Sequence, residues 1–339
     1  MKSFMLLAIF STMACILSAG DEKPVPVKII FDTDMDSDCD DVGALAMLHA
    51  FADKGEAEIL ATIVSAKNEW SPACVDAINT FFGRPDVPIG APKGAASKSP
   101  SKFTKQIVEQ FPQDIGSVDK AEDAAELYRR ILKQQPDNSV VIVTIGDLTN
   151  IADLLKLPAG DKGPSGLDLV KTKVKKWVCM GGNFIGHPAK DDLKLGNNNF
   201  TVDKTGSLYA VLNWPVELVS VGREIGSVPS GLKAGKKLGE LPESNPVRMG
   251  YQHYFGGTVK DRHVADQTTL LYAVRGLSDY WDAETKGYMD LQPNMAFEWK
   301  YDQSNKKHSY LLKKKVDTAA TDRRIESIIE ELMMHQPRK

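Results

Sequence analysis

Short β-rich apolar runs and helical stretches alternate along most of this chain. Residues 27–31 form the first such run, and 42–51 carries the 3.6-residue apolar spacing of a helix. A second strand is predicted at 58–64 and a second helix at 72–82. The segment 139–145 is almost entirely Val and Ile, as in a strand buried on both faces, with a helix over about 149–156 after it. Further strands are predicted at 174–179 and 216–221, with 206–212 helical between them. This order predicts an α/β fold, an open and mostly parallel sheet with helices on both faces. Segments 91–118 and 222–260, rich in Gly, Pro, Ser and Lys, read as irregular excursions near the site. Beyond 284 the pattern changes. Short antiparallel strands are predicted at 296–300 and 310–312, then a closing amphipathic helix at 322–334. Residues 21–284 therefore read as one α/β domain, and 285–339 as a small β/α addition packed on it.

The N-terminus is different again. Lys2, an apolar run over 4–17 and then Ser18-Ala19-Gly20 read as an export signal covering residues 1–20, with a secreted or periplasmic product. The run is too short for a membrane span. Cys15 as a lipid-bearing cysteine has a poor lead-in in Thr12-Met13-Ala14. Removing Lys2 takes 42 basic residues to 41 against 45 acidic ones, so the charge moves from −3 to −4. So mild a charge points to neither nucleic acid nor an anionic membrane as partner. Cys39, Cys74 and Cys179 remain, too few and odd in number for a disulfide-based fold.

The chemistry concentrates in Asp32-Thr33-Asp34-Met35-Asp36-Ser37-Asp38-Cys39-Asp40-Asp41, six carboxylates in ten residues between a strand and a helix. Six packed anions repel, raising their pKa values or splaying the loop unless a cation is present. A hard divalent ion taking oxygen ligands fits best. A solvated acidic turn is the plain alternative, and it fits poorly after a buried strand. An EF-hand fails because no register from Asp32, Asp34 or Asp36 places Gly sixth and Glu twelfth. A haloacid dehalogenase-type phosphatase would use Asp32-Thr33-Asp34 as its strand-end motif, but the following Gly-Thr is absent.

From these residues the chain resembles the nucleoside hydrolase family, of the inosine-uridine preferring kind, in a secreted variant with a longer first loop. The opening IIFDTDMDSDCDDVGALAML is similar to that family's strand, Asp-x-Asp turn and Asp-Asp helix start. Five later segments resemble family segments in the same order. They are Ser65 to Trp70, Ile145 to Asn150, Met180-Gly181-Gly182, Asn197 to Asp203 and Ala265 to Thr268. The resemblance implies calcium-dependent hydrolysis of an N-glycosidic bond of a nucleoside or riboside, with Asp34 activating a metal-bound water. It implies Asp34, Asp41, Asp266 and the carbonyl of Ile145 as calcium ligands. Asn68, Met180, Asn197 and Asn199 would form the sugar pocket. Asp38 and Asp40 compete for one ribose contact, and Asp40 is favoured because it directly precedes the helix. Homo-oligomers are also implied.

Three positions depart from the family's pattern. Asp36 stands where a Gly is usual, so a positive φ is expected there. Asn197 replaces a Glu, and Ala265 replaces a His that in some members acts as an acid near the base. His263, two residues earlier, is the candidate substitute acid, and His187 a second histidine near the pocket. Asn150 reads as a helix cap and Asn79 as helix packing. These departures leave a second reading open: a binding protein that keeps the metal and sugar pocket without turnover.

Overall fold

The computed structural model describes residues 25–184, 198–227, 230–301 and 307–337. Residues 1–20, read above as an export signal, lie outside them, as do His187 and Asn197. The strands are β1 (Val27–Thr33), β2 (Ala57–Val64), β3 (Ile89–Ala91), β4 (Glu122–Asp123), β5 (Val140–Thr144), β6 (Val174–Met180), β7 (Glu217–Val221), β8 (Lys233–Ala234), β9 (Arg262–His263), β10 (Trp281–Glu284), β11 (Tyr288–Leu291), β12 (Phe297–Lys300) and β13 (His308–Lys313). The helices are α1 (Asp40–Lys54), α2 (Ser71–Phe81), α3 (Thr104–Gln110), α4 (Ala124–Lys133), α5 (Thr149–Lys156), α6 (Gly166–Lys173), α7 (Asn198–Val202), α8 (Lys204–Asn213), α9 (Arg223–Gly226), α10 (Pro246–Tyr254), α11 (Ala265–Arg275) and α12 (Thr318–Met333).

Nine strands form one sheet in the order β10-β13-β7-β6-β5-β1-β2-β3-β4. Every pairing in it is parallel except β10 with β13. Strands alternate their side chains between faces, so Ile29 and Phe31 join one apolar core and Ile30 the other. Helices α1, α2, α10 and α11 cover the first face, and α4, α5, α6 and α8 the second. The chain leaves β1 toward β2 on one side, while β5 lies on the other. The loop after β1 is thus at the point where strand order reverses, where open α/β sheets place their ligands.

Part of the C-terminal segment joins the main sheet. Segment 310–312 belongs to β13, which pairs antiparallel with β10, as expected for a short antiparallel strand, and also parallel with β7 within the main sheet. Only β11 and β12 form a separate antiparallel hairpin. Helix α12 packs on α1, and His335 beyond it reaches Asp53 at 2.7 Å. Segment 222–260 is also more ordered than its composition indicated. It holds α9, β8, a 3₁₀ turn and α10, which Asn245 caps by accepting from Val247 and Arg248 N–H ahead of Pro246. No helix of the described residues is long and apolar enough to cross a membrane. Cys39, Cys74 and Cys179 are buried and free.

Candidate active site

Strand β1 ends in two buried polar residues, Asp32 and Thr33, and the chain then crosses a six-residue loop to the first turn of α1. Asp40 and Asp41 occupy that turn, where exposed N–H groups and the helix dipole favour anions. Two glycines let the surrounding backbone close in. A Cβ on Gly43 would lie 2.5 Å from Gln267 Nε2, so α1 and α11 approach closely and bring Asp41 near Asp266. A Cβ on Gly146 would lie 2.5 Å from the backbone N of Asp34, so the end of β5 meets the acidic loop. The positive φ expected at Asp36 falls instead on Met35, at 46°. Met35 is held there from both sides. Its N–H donates to Asp41 Oδ1 at 3.2 Å, and its carbonyl accepts from Ser71 Oγ at 2.7 Å.

A cavity of about 270 Å³ opens over this loop. Asp34, Asp38, Asp40, Asp41 and Asp266 supply its acidic floor, and Ile145, Met180, Asn199 and His263 line it as well. Carboxylate oxygens of Asp38, Asp40, Asp41 and Asp266 lie within 4.8 Å of one another, and a second group joins Asp38, Asp40 and His263. Asp34 borders the ring of four on the same cavity wall. Asn199 donates to the carbonyls of Ile145 at 2.8 Å and Met180 at 3.1 Å, tying the ends of β5 and β6 together. Asn68 does not line the cavity. Its amide donates to Ser99 O at 2.9 Å and its oxygen accepts from Trp70 N at 3.0 Å. Asn197 lies outside the described residues.

Two arginines and a serine on the walls, Arg223, Arg262 and Ser227, were not singled out from the sequence. Arg262 donates to Asp38 Oδ2 at 2.8 Å and lies 5.1 Å from the Tyr254 ring centre. It immediately precedes His263, and a search for cations to offset six acids would have found it. Asn150, read above as a cap, does not cap α5, whose N-cap is Leu148. Its amide binds both oxygens of Asp32 at 3.2 Å and the carbonyl of Val64 at 3.0 Å.

Burial and mutual repulsion shape the acids' titration. Burial, then the neighbouring charge of Asp41, holds Asp34 well above the usual carboxylate range. Asp40 and Asp266 are raised well above it in the same way, by burial first and then by Asp38 and Asp41 respectively. Asp36 is pushed up to about 7 and Asp41 to about 6, again by burial first. Asp38 is the exception. Burial pushes it up, but its hydrogen bond with Asp40 and the charge of Arg262 outweigh that and hold it low. His263 is pushed down to about 4 by burial and by Arg262, so it is neutral at neutral pH.

Asp32 stands apart. It is fully buried, does not line the cavity, and accepts from Tyr128 Oη at 2.8 Å. That position removes it as a phosphatase nucleophile and makes it part of the frame beneath the loop. Tyr128→Phe is expected to cost about 1–3 kcal/mol of stability by leaving Asp32 short of a donor. Urea unfolding measures this, and the response to divalent cations should persist. Loss of that response would return Asp32 to the site.

A sequence profile of the family described as inosine-uridine preferring nucleoside hydrolase matches residues 29–290. The chain belongs to the nucleoside hydrolase family. It is thus an N-glycosyl hydrolase by family, and the solved structures it resembles agree in fold. An inosine-uridine preferring nucleoside hydrolase from Bacillus anthracis is 15% identical with TM-score 0.59, covering 90% of this chain and 99% of that one. An inosine-guanosine nucleoside hydrolase is 18% identical with TM-score 0.58, covering 89% and 98%. The type III effector protein XopQ, complexed with adenosine diphosphate ribose, is 14% identical with TM-score 0.61, covering 92% and 94%. A comparison with curated protein sequences gave no match. In this nucleoside hydrolase the acidic loop, the ends of β5 and β6 and the start of α11 converge on one cavity, at the sheet end where ligands bind.

Proposed function

We propose that this chain hydrolyses the N-glycosidic bond between a ribose-like sugar and a base, with calcium held on the acidic floor. The observation carrying this reading is the ring of four carboxylates within 4.8 Å. Asp40 Oδ1 in that ring, and both oxygens of nearby Asp36, are buried without a hydrogen-bond partner. Anions so placed require a positive charge, and an all-oxygen donor set suits a hard divalent ion. Calcium is favoured over magnesium because a dense carboxylate cage suits six to eight oxygen ligands. Asp34, Asp41, Asp266 and the Ile145 carbonyl would hold it, with Asp38 and Asp40 closing the same floor. When bound, such an ion makes a nearby water easier to deprotonate and attracts sugar hydroxyls.

The protein's own groups divide the remaining work. Asp34, raised by burial and by its neighbours, is basic enough to take the proton of the attacking water. Asp38 is hydrogen-bonded to Arg262, which leaves Asp40, on the cavity floor, to accept from a ribose hydroxyl. The carboxylates together stabilise the positive charge that develops on the sugar as the bond breaks. Met180 and Asn199 complete the sugar wall, and Asn197 is assigned to the same wall from its sequence alone.

The test is sugar release from inosine, uridine and a nitrophenyl riboside, with calcium and after chelation. Release from at least one substrate, lost on chelation, is the expected result. Saturable binding without release from any of them would instead support a calcium-dependent binding protein. That second reading draws on Ala265, which puts no acid on the cavity wall, and on XopQ, whose structure is described in complex with adenosine diphosphate ribose.

A further inference from the structure

A second cavity of about 340 Å³ opens beside the acidic one and shares Ser227, Arg262 and His263 with it as a common wall. The two together extend the site beyond the floor that holds sugar and cation. The far wall has a different chemistry from the floor. Strands β8 and β9 form a two-stranded ribbon in which Lys233 pairs with His263 and Ala234 with Arg262. The ribbon thus brings two cations to the edge of this cavity. Phe255 adds a half-buried aromatic wall.

The charges there are unevenly satisfied. Arg262 Nε is buried without a hydrogen-bond partner, 3.8 Å from Asp40 Oδ1. The Lys233 side chain is exposed, and among the described residues its ammonium takes part in no ion pair or hydrogen bond. The acid on this wall, Asp261, accepts from the backbone N of Lys236 at 2.8 Å. Glu326 of α12 accepts from the backbone N of Lys233 at 2.9 Å, so it too is engaged with the main chain. The exposed Lys233 ammonium therefore lines an open space next to the proposed sugar site, with the guanidinium of Arg262, held in place by Asp38 and Asp40, on the shared wall, and such a pair of cationic groups selects phosphate.

We propose that this second cavity receives a phosphate group of the substrate, held by Arg262 and Lys233, so that the enzyme acts on a phosphorylated riboside. The inference rests on the hydrolase reading for the sugar but not on turnover. The phosphate can be carried on the sugar's outer carbon or on the side of the leaving group, and the same donors would meet it either way.

Calorimetric binding of ribose, ribose 5-phosphate and ribose 1-phosphate to the calcium-loaded protein tests it. One phosphorylated sugar is expected to bind about tenfold or more tightly than ribose, as a single charge-assisted contact set implies. Which one does so assigns the phosphate to the outer carbon or to the leaving-group side. The preference should weaken with added salt and collapse in Lys233→Glu. Equal binding of all three, binding of none, or a preference untouched in Lys233→Glu would each overturn the proposal. Cleavage of unphosphorylated nucleosides, measured separately, would leave the hydrolase reading standing in any of those cases.

Discussion

Replacing Asp41 by alanine is expected to abolish the stabilisation of this protein by calcium and to reduce hydrolysis by about a hundredfold to a thousandfold. Asp41 is in the ring of four carboxylates, and it also accepts from Thr33 Oγ1 and from Met35 N–H. Calcium at about a hundred times its Kd would stabilise the parent by about 2.7 kcal/mol, a rise in Tm on the order of 5 °C. Asp41→Asn separates the two roles, since it keeps an acceptor for Thr33 and Met35 but removes the charge. Both variants should show no calcium-dependent rise. A normal rise in either would place the ion elsewhere. The same acids set a pH dependence for the metal-free protein. Asp41 and Asp36 have folded pKa values of about 6 and about 7, above the unfolded value near 4, so the folded state binds more protons between those limits. Metal-free stability should therefore fall as pH rises from about 4 to about 7, and calcium should flatten that fall. Thermal melts across this range measure both.

The fold was legible in the sequence where burial imposed a clean period. The near-continuous apolar run of β5 and the helix beginning at Asp40-Asp41 could belong to little else. The acidic loop announced itself because six charges between a strand and a helix have few uses. What pattern did not convey was partnership across distance. The tight ring includes Asp38 and Asp40, and their nearness to Asp266 depends on α1 and α11 approaching at Gly43. Arg262 gains its role by meeting Asp38, which is 224 residues away in sequence. Segment 310–312 was read as a short antiparallel strand, and it does pair antiparallel with β10, but a short run does not state its second neighbour, and β13 also pairs parallel with β7 in the main sheet. Helix α4 is a different kind of omission. Asp123 caps it by accepting from Glu126 N, a signal present in the sequence that the reading passed over. Asn150 was misread as a cap, and Asp32 was given no role in the hydrolase reading, because their common purpose, bracing the loop from below, is visible only once both are seen buried together.

Leaving-group chemistry is where this chain is expected to differ most sharply from an ordinary nucleoside hydrolase. Ala265 lines the cavity where the resemblance implies an acid, and His263 beside it is neutral at neutral pH because burial and Arg262 push it down to about 4. Among the described residues, a departing purine or pyrimidine thus meets no protonated histidine, and general acid catalysis is typically worth about a hundredfold or more. Asn197, on the sugar wall as proposed, would weaken the sugar contact by about another tenfold relative to a carboxylate there, because charge-assisted hydrogen bonds are about twice as strong as neutral ones. Inosine and uridine should therefore be cleaved about a hundredfold less efficiently than a nitrophenyl riboside, whose leaving group departs without a proton, while any loss at the sugar lowers all three alike. Ala265→His should narrow that gap, raising kcat for inosine more than for the nitrophenyl compound. The measurement is kcat/KM for the three substrates in calcium, for the parent and this variant. If inosine or uridine matches the nitrophenyl riboside in the parent, the absence of an acid at position 265 is without consequence, and another group protonates the base.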